Sequence, residues 1–211
     1  MYDLILFDLD GTLTESGIGI TRSVAHSLRK YGIEETDQAK LDRFVGPPLI
    51  DSYMRYYGFS REQAVQAVEH YREYYAVTGI FENRVYDGVI PMLQALNEAG
   101  KICVLATSKP EHYAVQILEH FGLSDCFAFV AGATMDEKRT KKADVIAYAL
   151  EKAGQTGKAI MVGDRKHDIE GAKAHGLPSI GVLYGYGSRE ELEAAGATYI
   201  AATAEEILKF V

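Results

Sequence analysis

Two aspartates stand at the end of an apolar run near the start of the chain. The segment LILFDLDGTLT (4–14) begins like a buried strand and then carries Asp8 and Asp10 directly before Gly11. Two carboxylates about 4 Å apart repel by roughly 4 kcal/mol at an effective dielectric constant of 20. A cation would offset this repulsion, so the spacing predicts an acidic, cation-binding site where the strand ends.

Other apolar runs also end in side chains that can do chemistry. The run ICVLAT (102–107) is followed by SK, and the run AIMVGD (159–164) ends in a carboxylate. Ligands of open α/β sheets bind beyond the carboxyl ends of the strands. The side chains expected at this rim, together with Asp8 and Asp10, are Thr107, Ser108, Lys109, Lys141, Lys142, Asp164 and Asp168.

Together these groups could attack a phosphate ester. Phosphate monoester hydrolysis is so slow without a catalyst that accelerations of up to about 10²¹-fold are needed. A carboxylate such as Asp8 can accept the phosphoryl group as an aspartyl-phosphate, which divides one displacement into two. Mg²⁺, a hard ion that prefers oxygen ligands, would join Asp8, Asp164 and a phosphate oxygen. The pattern therefore predicts a Mg²⁺-dependent phosphatase.

The remaining groups have complementary roles in the same reaction. Lys142 and the hydroxyl of Thr107 would hold the phosphoryl oxygens as charge shifts onto them, and Ser108 is a further candidate for substrate binding. Asp10 projects to the same side as Asp8 if the strand continues, so it could protonate the leaving oxygen and then activate water. Gly11 permits a sharp turn whose amides can face the phosphate.

Strand-like runs alternate with helical patterns over most of the chain. The predicted strands are 4–10, 102–107, 127–132, 159–164 and 179–185. Between the later runs, apolar residues recur every three or four positions, and each helical stretch ends in glycine, as helices often do. This alternation predicts an α/β fold with a Rossmann-like, doubly wound parallel sheet.

The stretch that follows the first strand has a different character. Residues 15–84 show helical patterns and no convincing strand, whereas ordinary connections in α/β units span only about 2–6 residues. Ser60 with Gln63 three positions later has the signature of a capping box. We therefore predict a helical-bundle cap domain at 15–84, inserted into an α/β catalytic core formed by 1–14 and 85–211.

Composition limits the partners. The chain has 211 residues and a net charge of −8, without a cluster of Lys and Arg, which argues against nucleic acid as the main partner. No segment reaches the roughly 18 apolar residues of a membrane span, and the first strand begins without a basic leader. We expect a cytoplasmic enzyme that acts on a small phosphorylated metabolite and is either a monomer or a homodimer.

The motifs resemble those of a known family. FDLDGTLT, ATSK, the Lys142 region and VGDRKHDIEGA are similar, in this order, to the four motifs of the haloacid dehalogenase-like (HAD) hydrolase superfamily, and the likeness covers the whole chain. GPPL (46–49) is similar to the cap of phosphoglycolate phosphatase-like and nucleotidase-like members. The resemblance implies a capped phosphatase that acts on a small phosphomonoester, such as phosphoglycolate or a nucleoside monophosphate.

The resemblance also implies roles for particular residues. Asp8 would be the nucleophile and Asp10 the general acid and base, while Thr107 would bind the phosphoryl group and Lys142 would stabilise it. Mg²⁺ would be held by Asp8, the backbone carbonyl of Asp10, and Asp164. Asp168 would lie nearby or in the outer shell of the metal. Many relatives have Lys-Pro at the third motif, whereas this chain has RTKKADV, so Lys141 competes with Lys142 for that role.

Simpler interpretations exist for each motif taken alone. Asp8 and Asp10 could form a turn that ends a strand, Asp164 could cap the helix that begins near Lys166, and Lys142 could be a solvated lysine. At the level of function, the alternatives are a sugar phosphomutase of the same superfamily and a non-enzymatic phospho-acceptor domain. Only the convergence of the motifs on one rim favours the phosphatase.

Overall fold

A parallel sheet forms the centre of the larger part of the molecule. The computed structural model describes residues 1–135, 138–154 and 157–211. Within these residues, six parallel strands pair in the order β3-β2-β1-β4-β5-β6. They are β1 (Leu4–Phe7), β2 (Ile102–Pro110), β3 (Phe129–Ala133), β4 (Ala159–Gly163), β5 (Ser179–Val182) and β6 (Tyr199–Ala201). The predicted α/β class with a doubly wound parallel sheet is confirmed.

Helices connect and cover the strands. In chain order they are α1 (Gly17–Arg29), α2 (Gln38–Asp42), α3 (Leu49–Tyr57), α4 (Arg61–Tyr75), α5 (Val89–Glu98), α6 (Glu111–His120), α7 (Lys142–Ala153), α8 (Lys166–Ala174) and α9 (Arg189–Ala195). Among the described residues, none of the helices combines the length and the apolar character that crossing a bilayer requires.

The direction of the strand order reverses between β1 and β4. The chain runs from β1 through β2 to β3 at one edge, and then from β4 through β5 to β6 at the other. Phe7 of β1 pairs with Val162 of β4, so these central strands end at almost the same level. Ligands of open α/β sheets bind at such a switch point, beyond the carboxyl ends of the strands.

The strands are apolar because both faces of the sheet are covered. All four residues of β1 are buried, and Leu4 and Leu6 belong to a core cluster that also contains Val145 and Ile146 of α7. At about 25 cal/mol per Å² of apolar surface removed from water, this burial is the main force that keeps the strand ends in register. The rigid sheet therefore supplies a fixed base for the residues that follow each strand.

Several strand boundaries differ from the sequence prediction. The first strand ends at residue 7 instead of 10, the third runs over 129–133 instead of 127–132, and the last predicted strand ends at 182 instead of 185. The second strand continues past Thr107 to Pro110, with a register shift against β3 between Ala106 and Pro110. β6 has only three residues, too short for a clear periodic pattern, and was not predicted.

The chain divides into two compact units, residues 1–14 with 85–211 and residues 15–84. The second unit contains α1 to α4 and a short 3₁₀ helix at Gly79–Phe81. Within it, the Ser27 hydroxyl on α1 donates to the Ala67 carbonyl on α4 at 2.7 Å. The predicted capping box of Ser60 and Gln63 is present at the start of α4, so the local signal for that helix is confirmed.

Candidate active site

The carboxylates that follow β1 and β4 lie close together because these strands are neighbours. The Asp8 N–H donates to the Val162 carbonyl at 2.9 Å, which extends the strand pairing by one residue. Asp8, Asp164 and Asp168 each offer a carboxylate oxygen within 4.8 Å of the others, and all three are buried. The acidic ends of the two central strands therefore meet in one cluster at the switch point.

A tight turn after β1 places Asp10. The Leu9 carbonyl accepts a hydrogen bond from the Thr14 N–H at 3.0 Å, and the Gly11 N–H donates to the Thr14 carbonyl at 2.8 Å. Gly11 has a φ of +82°, which side chains rarely allow. The prediction that the strand continues to residue 10 is therefore wrong, because β1 ends at Phe7 and the turn, and not strand alternation, sets the position of Asp10.

The carboxylate of Asp164 is held from two directions. Its Oδ1 accepts from the Thr12 hydroxyl at 3.4 Å, and its Oδ2 accepts from the Tyr186 N–H in the loop after β5 at 2.8 Å. A Cβ added to Gly11 would lie 2.2 Å from Oδ2, and one added to Gly185 would lie 2.4 Å from the Asp164 Cβ. The glycines therefore leave room for backbone to pack directly against this carboxylate.

Gly11→Ala is expected to destabilise the protein by about 2 kcal/mol more than Gly100→Ala does. Both substitutions place a side chain at positive φ, +82° and +73°, but a Cβ at Gly100 meets nothing within 4 Å, whereas one at Gly11 collides with Asp164. Chemical denaturation of the two variants isolates the collision from the backbone strain. Equal losses in the free energy of unfolding would contradict the close approach.

Lys142 joins two of the clustered carboxylates. Its Nζ lies 2.7 Å from Asp8 Oδ1 and 2.9 Å from Asp168 Oδ1, and it donates to the Ala106 carbonyl at 3.0 Å. Lys141 is exposed and occupies the position before the first turn of α7. Of the two lysines that compete for the third motif, Lys142 is the one in contact with the cluster.

Burial and like charges shift the acidity of the cluster. Burial raises the pKa of Asp164 well above its usual range, and the charges of Asp168 and Asp8 raise it further. Burial also raises the pKa of Asp168, to about 6, against the opposing effect of Lys142. Burial lowers the pKa of Lys142, but the charges of Asp168 and Asp8 outweigh that effect and raise it overall.

These groups fit a divalent cation. With every group ionised, three carboxylates and one ammonium leave a net charge of −2 in a buried site (1 − 3), and the raised pKa values of Asp164 and Asp168 show that this charge is unfavourable. Mg²⁺ binds through one or two carboxylates and keeps positions for water and phosphate oxygens. Asp164 suits that role because its donors are the neutral Thr12 hydroxyl and Tyr186 N–H, whereas Asp168 pairs with the Lys142 ammonium. Asp8 lies beside Asp164 in the cluster, so it can act as the second carboxylate.

Mg²⁺ is expected to raise Tm more at neutral pH than near pH 4. The folded-state pKa of Asp168, about 6, exceeds its ordinary value of 3.8. Between these values the folded state holds a proton that the unfolded state has released, so the free energy of unfolding falls as pH rises through that window and stays lower above it. Asp164, whose pKa is also raised, extends the loss to higher pH.

Bound Mg²⁺ would compensate for this loss, because it favours the ionised carboxylates. Thermal unfolding with and without Mg²⁺ across the acidic to neutral range measures the effect. Asp168→Asn serves as the comparison, in which the metal-free protein should lose less stability with rising pH. A Mg²⁺-induced shift in Tm that does not change with pH would contradict the arrangement.

Thr107 and Asp10 lie at a second part of the same rim. Thr107 is buried, and its Oγ1 accepts from the Lys109 N–H at 3.2 Å. Lys109 Nζ forms an ion pair with Asp10 Oδ2 at 2.9 Å. Ser108, between them, is only partly buried. The Lys109 ammonium therefore pairs with Asp10, whereas the Lys142 ammonium pairs with Asp8.

Sequence reasoning gave no role to three groups in this site. They are the Thr12 hydroxyl, the Lys109 ammonium and the Tyr186 N–H. Lys109 stood in the ATSK motif, so its position on the rim was visible although its partner was not. Tyr186 lies between two glycines, a spacing that permits close backbone approach but does not identify Asp164 as the group approached.

Comparison with known proteins adds an independent finding. Residues 5–182 match the family described as "Haloacid dehalogenase-like hydrolase". The chain is 46% identical to a 5'-nucleotidase of Pseudomonas aeruginosa over 202 residues, which cover 95% of this chain and 91% of that protein. It is 30% identical to a phosphoglycolate phosphatase of Vibrio vulnificus over 217 residues, which cover 99% and 95%.

Two further similarities concern a kinase and a solved structure. The chain is 39% identical to the tyrosine-protein kinase PtkA of Mycobacterium tuberculosis over 207 residues, covering 97% of this chain and 70% of that protein. A crystal structure described as a predicted phosphatase from Clostridium acetobutylicum has a TM-score of 0.96 and 48% identity, covering 100% of this chain and 98% of that one.

Proposed function

The chain belongs to the haloacid dehalogenase-like hydrolase family as a phosphatase, and we propose that it hydrolyses a small phosphomonoester with Mg²⁺ through an aspartyl-phosphate on Asp8. The observation that carries this proposal is the buried cluster in which Lys142 contacts Asp8 at 2.7 Å beside Asp164. A nucleophile, a fixed cation and a metal-binding carboxylate are the parts that phosphoryl transfer requires.

Asp8 is the attacking group in the first step. Lys142 Nζ and the Leu9 N–H both lie against its Oδ1, at 2.7 and 2.8 Å, so Oδ2 supplies the electron pair for attack on phosphorus. The bond from Oδ2 to phosphorus forms while the ester bond breaks. Thr107 and Lys142 hold the phosphoryl oxygens. Asp10 enters this step in its protonated form, which the second step regenerates, and gives that proton to the departing alcohol oxygen.

The second step returns the enzyme to its starting state. Asp10 takes a proton from a water molecule, whose oxygen bonds to phosphorus while the bond to Asp8 breaks, and inorganic phosphate leaves. When bound by Asp8, Asp164 and the backbone carbonyl of Asp10, Mg²⁺ supplies positive charge to the phosphoryl oxygens in both steps. Asp168 orients Lys142, with which it forms an ion pair at 2.9 Å.

The two compact units have different proposed functions. We propose that residues 1–14 and 85–211 are the catalytic core and that the helical unit 15–84 is a cap that selects the substrate. The similarity to a 5'-nucleotidase and to a phosphoglycolate phosphatase supports a small phosphorylated metabolite, with a nucleoside monophosphate or phosphoglycolate as the first compounds to test. A cytoplasmic location agrees with such a substrate.

Release of inorganic phosphate from a panel of phosphomonoesters tests this function. The panel contains nucleoside monophosphates and phosphoglycolate, each assayed with Mg²⁺ and with a chelator. We expect multiple turnovers that require Mg²⁺. A Mg²⁺-independent profile would contradict the metal assignment. Transfer of one phosphoryl group per chain, which then stays on the protein, would instead indicate the phospho-acceptor alternative. Transfer to another hydroxyl without release of phosphate would indicate a mutase or a kinase-like activity.

A further inference from the structure

A buried ion pair beside the reacting groups has no part in the mechanism described so far. Lys109 Nζ lies 2.9 Å from Asp10 Oδ2, and the two side chains are only 6% and 10% exposed. The other oxygen, Asp10 Oδ1, is buried and has no hydrogen-bond partner among the described residues. The two oxygens of one carboxylate therefore have different surroundings: Oδ2 is held by a cation, and Oδ1 has no donor in the described part of the chain.

A buried acceptor without a donor is costly, so such an atom points to a ligand that completes it. In the proposed reaction, the group that meets Asp10 is the oxygen of the departing alcohol. We propose that Lys109 is a positioning residue that holds Asp10 through Oδ2 and so directs Oδ1 at the leaving-group oxygen. This inference rests on the proposed function of Asp10 as the acid and base.

Lys109 lies in the irregular end of β2, next to Asp10. The register shift against β3 between Ala106 and Pro110 is an irregularity of the kind that re-aims side chains next to active sites. The backbone N–H of Lys109 donates to Thr107 Oγ1 at 3.2 Å, which ties the lysine to the residue proposed to hold the phosphoryl group. The lysine thus links the phosphate-binding end of β2 to the turn that carries Asp10.

Lys109 and Lys142 have different roles in this mechanism, because they contact different carboxylates. Lys142 contacts Asp8 and Asp168, whereas Lys109 contacts Asp10. Loss of Lys109 should therefore affect the proton transfer to the leaving group more than the attack on phosphorus. This difference is measurable, because an alkoxide needs a proton in order to depart and the anion of a nitrophenol needs it far less.

The test compares kcat/KM for two esters, p-nitrophenyl phosphate and an alkyl phosphate that the wild-type protein hydrolyses. For each ester, kcat/KM reports the steps up to departure of the alcohol. Lys109→Met should lower kcat/KM for the alkyl ester at least about tenfold more than for the aryl ester, in line with the size of general acid catalysis. Lys109→Arg, which keeps a cation, should restore part of the loss on the alkyl ester.

Two further variants complete the design. Lys141→Met removes the charge of an exposed lysine and should leave kcat/KM unchanged for both the alkyl and the aryl ester. Asp10→Asn should show the same preference for the aryl ester as Lys109→Met does. If Lys109 acts through Asp10, the double variant should lose little beyond Asp10→Asn alone, since contacting residues of one network are not additive.

The outcomes separate this inference from the proposed function. Equal losses on both esters in Lys109→Met, or additive losses in the double variant, would overturn the positioning role and leave the phosphatase standing. A wild-type protein that hydrolyses no phosphomonoester of the panel, so that no alkyl ester can be chosen, would instead refute the proposed function. Melting curves of each variant check that the fold is intact, and loss of the fold in Lys109→Met would move the decision to Lys109→Arg and its ester preference.

Discussion

Asp8→Asn is expected to lower kcat/KM for any phosphomonoester by about 10⁴-fold or more, the scale on which enzymes lose activity when a nucleophile is removed. Asparagine has nearly the same shape and can keep the contact with the Leu9 N–H, but its amide cannot form the acyl phosphate. The variant should also be unable to retain phosphate covalently when a reaction is quenched in acid, whereas the wild-type protein should.

The fold of Asp8→Asn should survive, which makes the result interpretable. The charge of Asp8 is one of the causes that raise the pKa of Asp164 and Asp168. Its removal should relieve repulsion in the metal-free protein, and Lys142 keeps its ion pair with Asp168, so Tm should stay at or above the wild-type value. Asp144→Asn, at an exposed position in the first turn of α7, is the matched control and should retain full activity. Near wild-type turnover by Asp8→Asn would refute the aspartyl-phosphate mechanism.

Lys142→Met is expected to reduce both activity and stability. The ammonium is buried between Asp8 and Asp168, and removing one partner of a buried ion pair typically costs about 3–5 kcal/mol because the remaining charge is left uncompensated. Loss of a charge that stabilises the phosphoryl oxygens should lower kcat by about 10²–10³-fold. Denaturant unfolding and steady-state kinetics measure the two effects.

A second variant separates catalysis from stability at this position. Lys142→Met combined with Asp168→Asn removes a cation and an anion together, so it should recover stability while activity stays low. Lys141→Met, one residue away and exposed, should change neither quantity. If Lys142→Met kept full activity, or if Lys141→Met lost it, the assignment of the third motif to Lys142 would be wrong.

Local patterns in the sequence anticipated much of the architecture. The alternation of apolar runs with helical periodicity follows from burial on both faces of a parallel sheet, so it could be recognised without coordinates. The capping box of Ser60 and Gln63 was equally predictable, because both partners lie within one turn of the same helix. The candidate site residues followed from the motifs at the strand ends.

Other features depended on groups that are distant in sequence. The turn after β1 moves Asp10 out of the strand, and its partner Lys109 lies 99 positions later in the chain (109 − 10), in the stretch of β2 where the register shifts. The choice between Lys141 and Lys142 depended on which one α7 turns toward the sheet. The sequence favoured Lys142, which directly precedes the helical pattern ADVIAYAL, but it left Lys141 as an alternative.

The sequence by itself determined the α/β class, the helical character of residues 15–84, and the set of acidic, basic and hydroxyl groups available for phosphoryl transfer. The tertiary structure decided which of these groups touch: Asp164 against the bare Gly11 and the Tyr186 N–H, Lys142 between Asp8 and Asp168, and Lys109 on Asp10. The physical reason is that periodicity and capping act over a few residues, whereas charge pairing in a buried site depends on strand order and register.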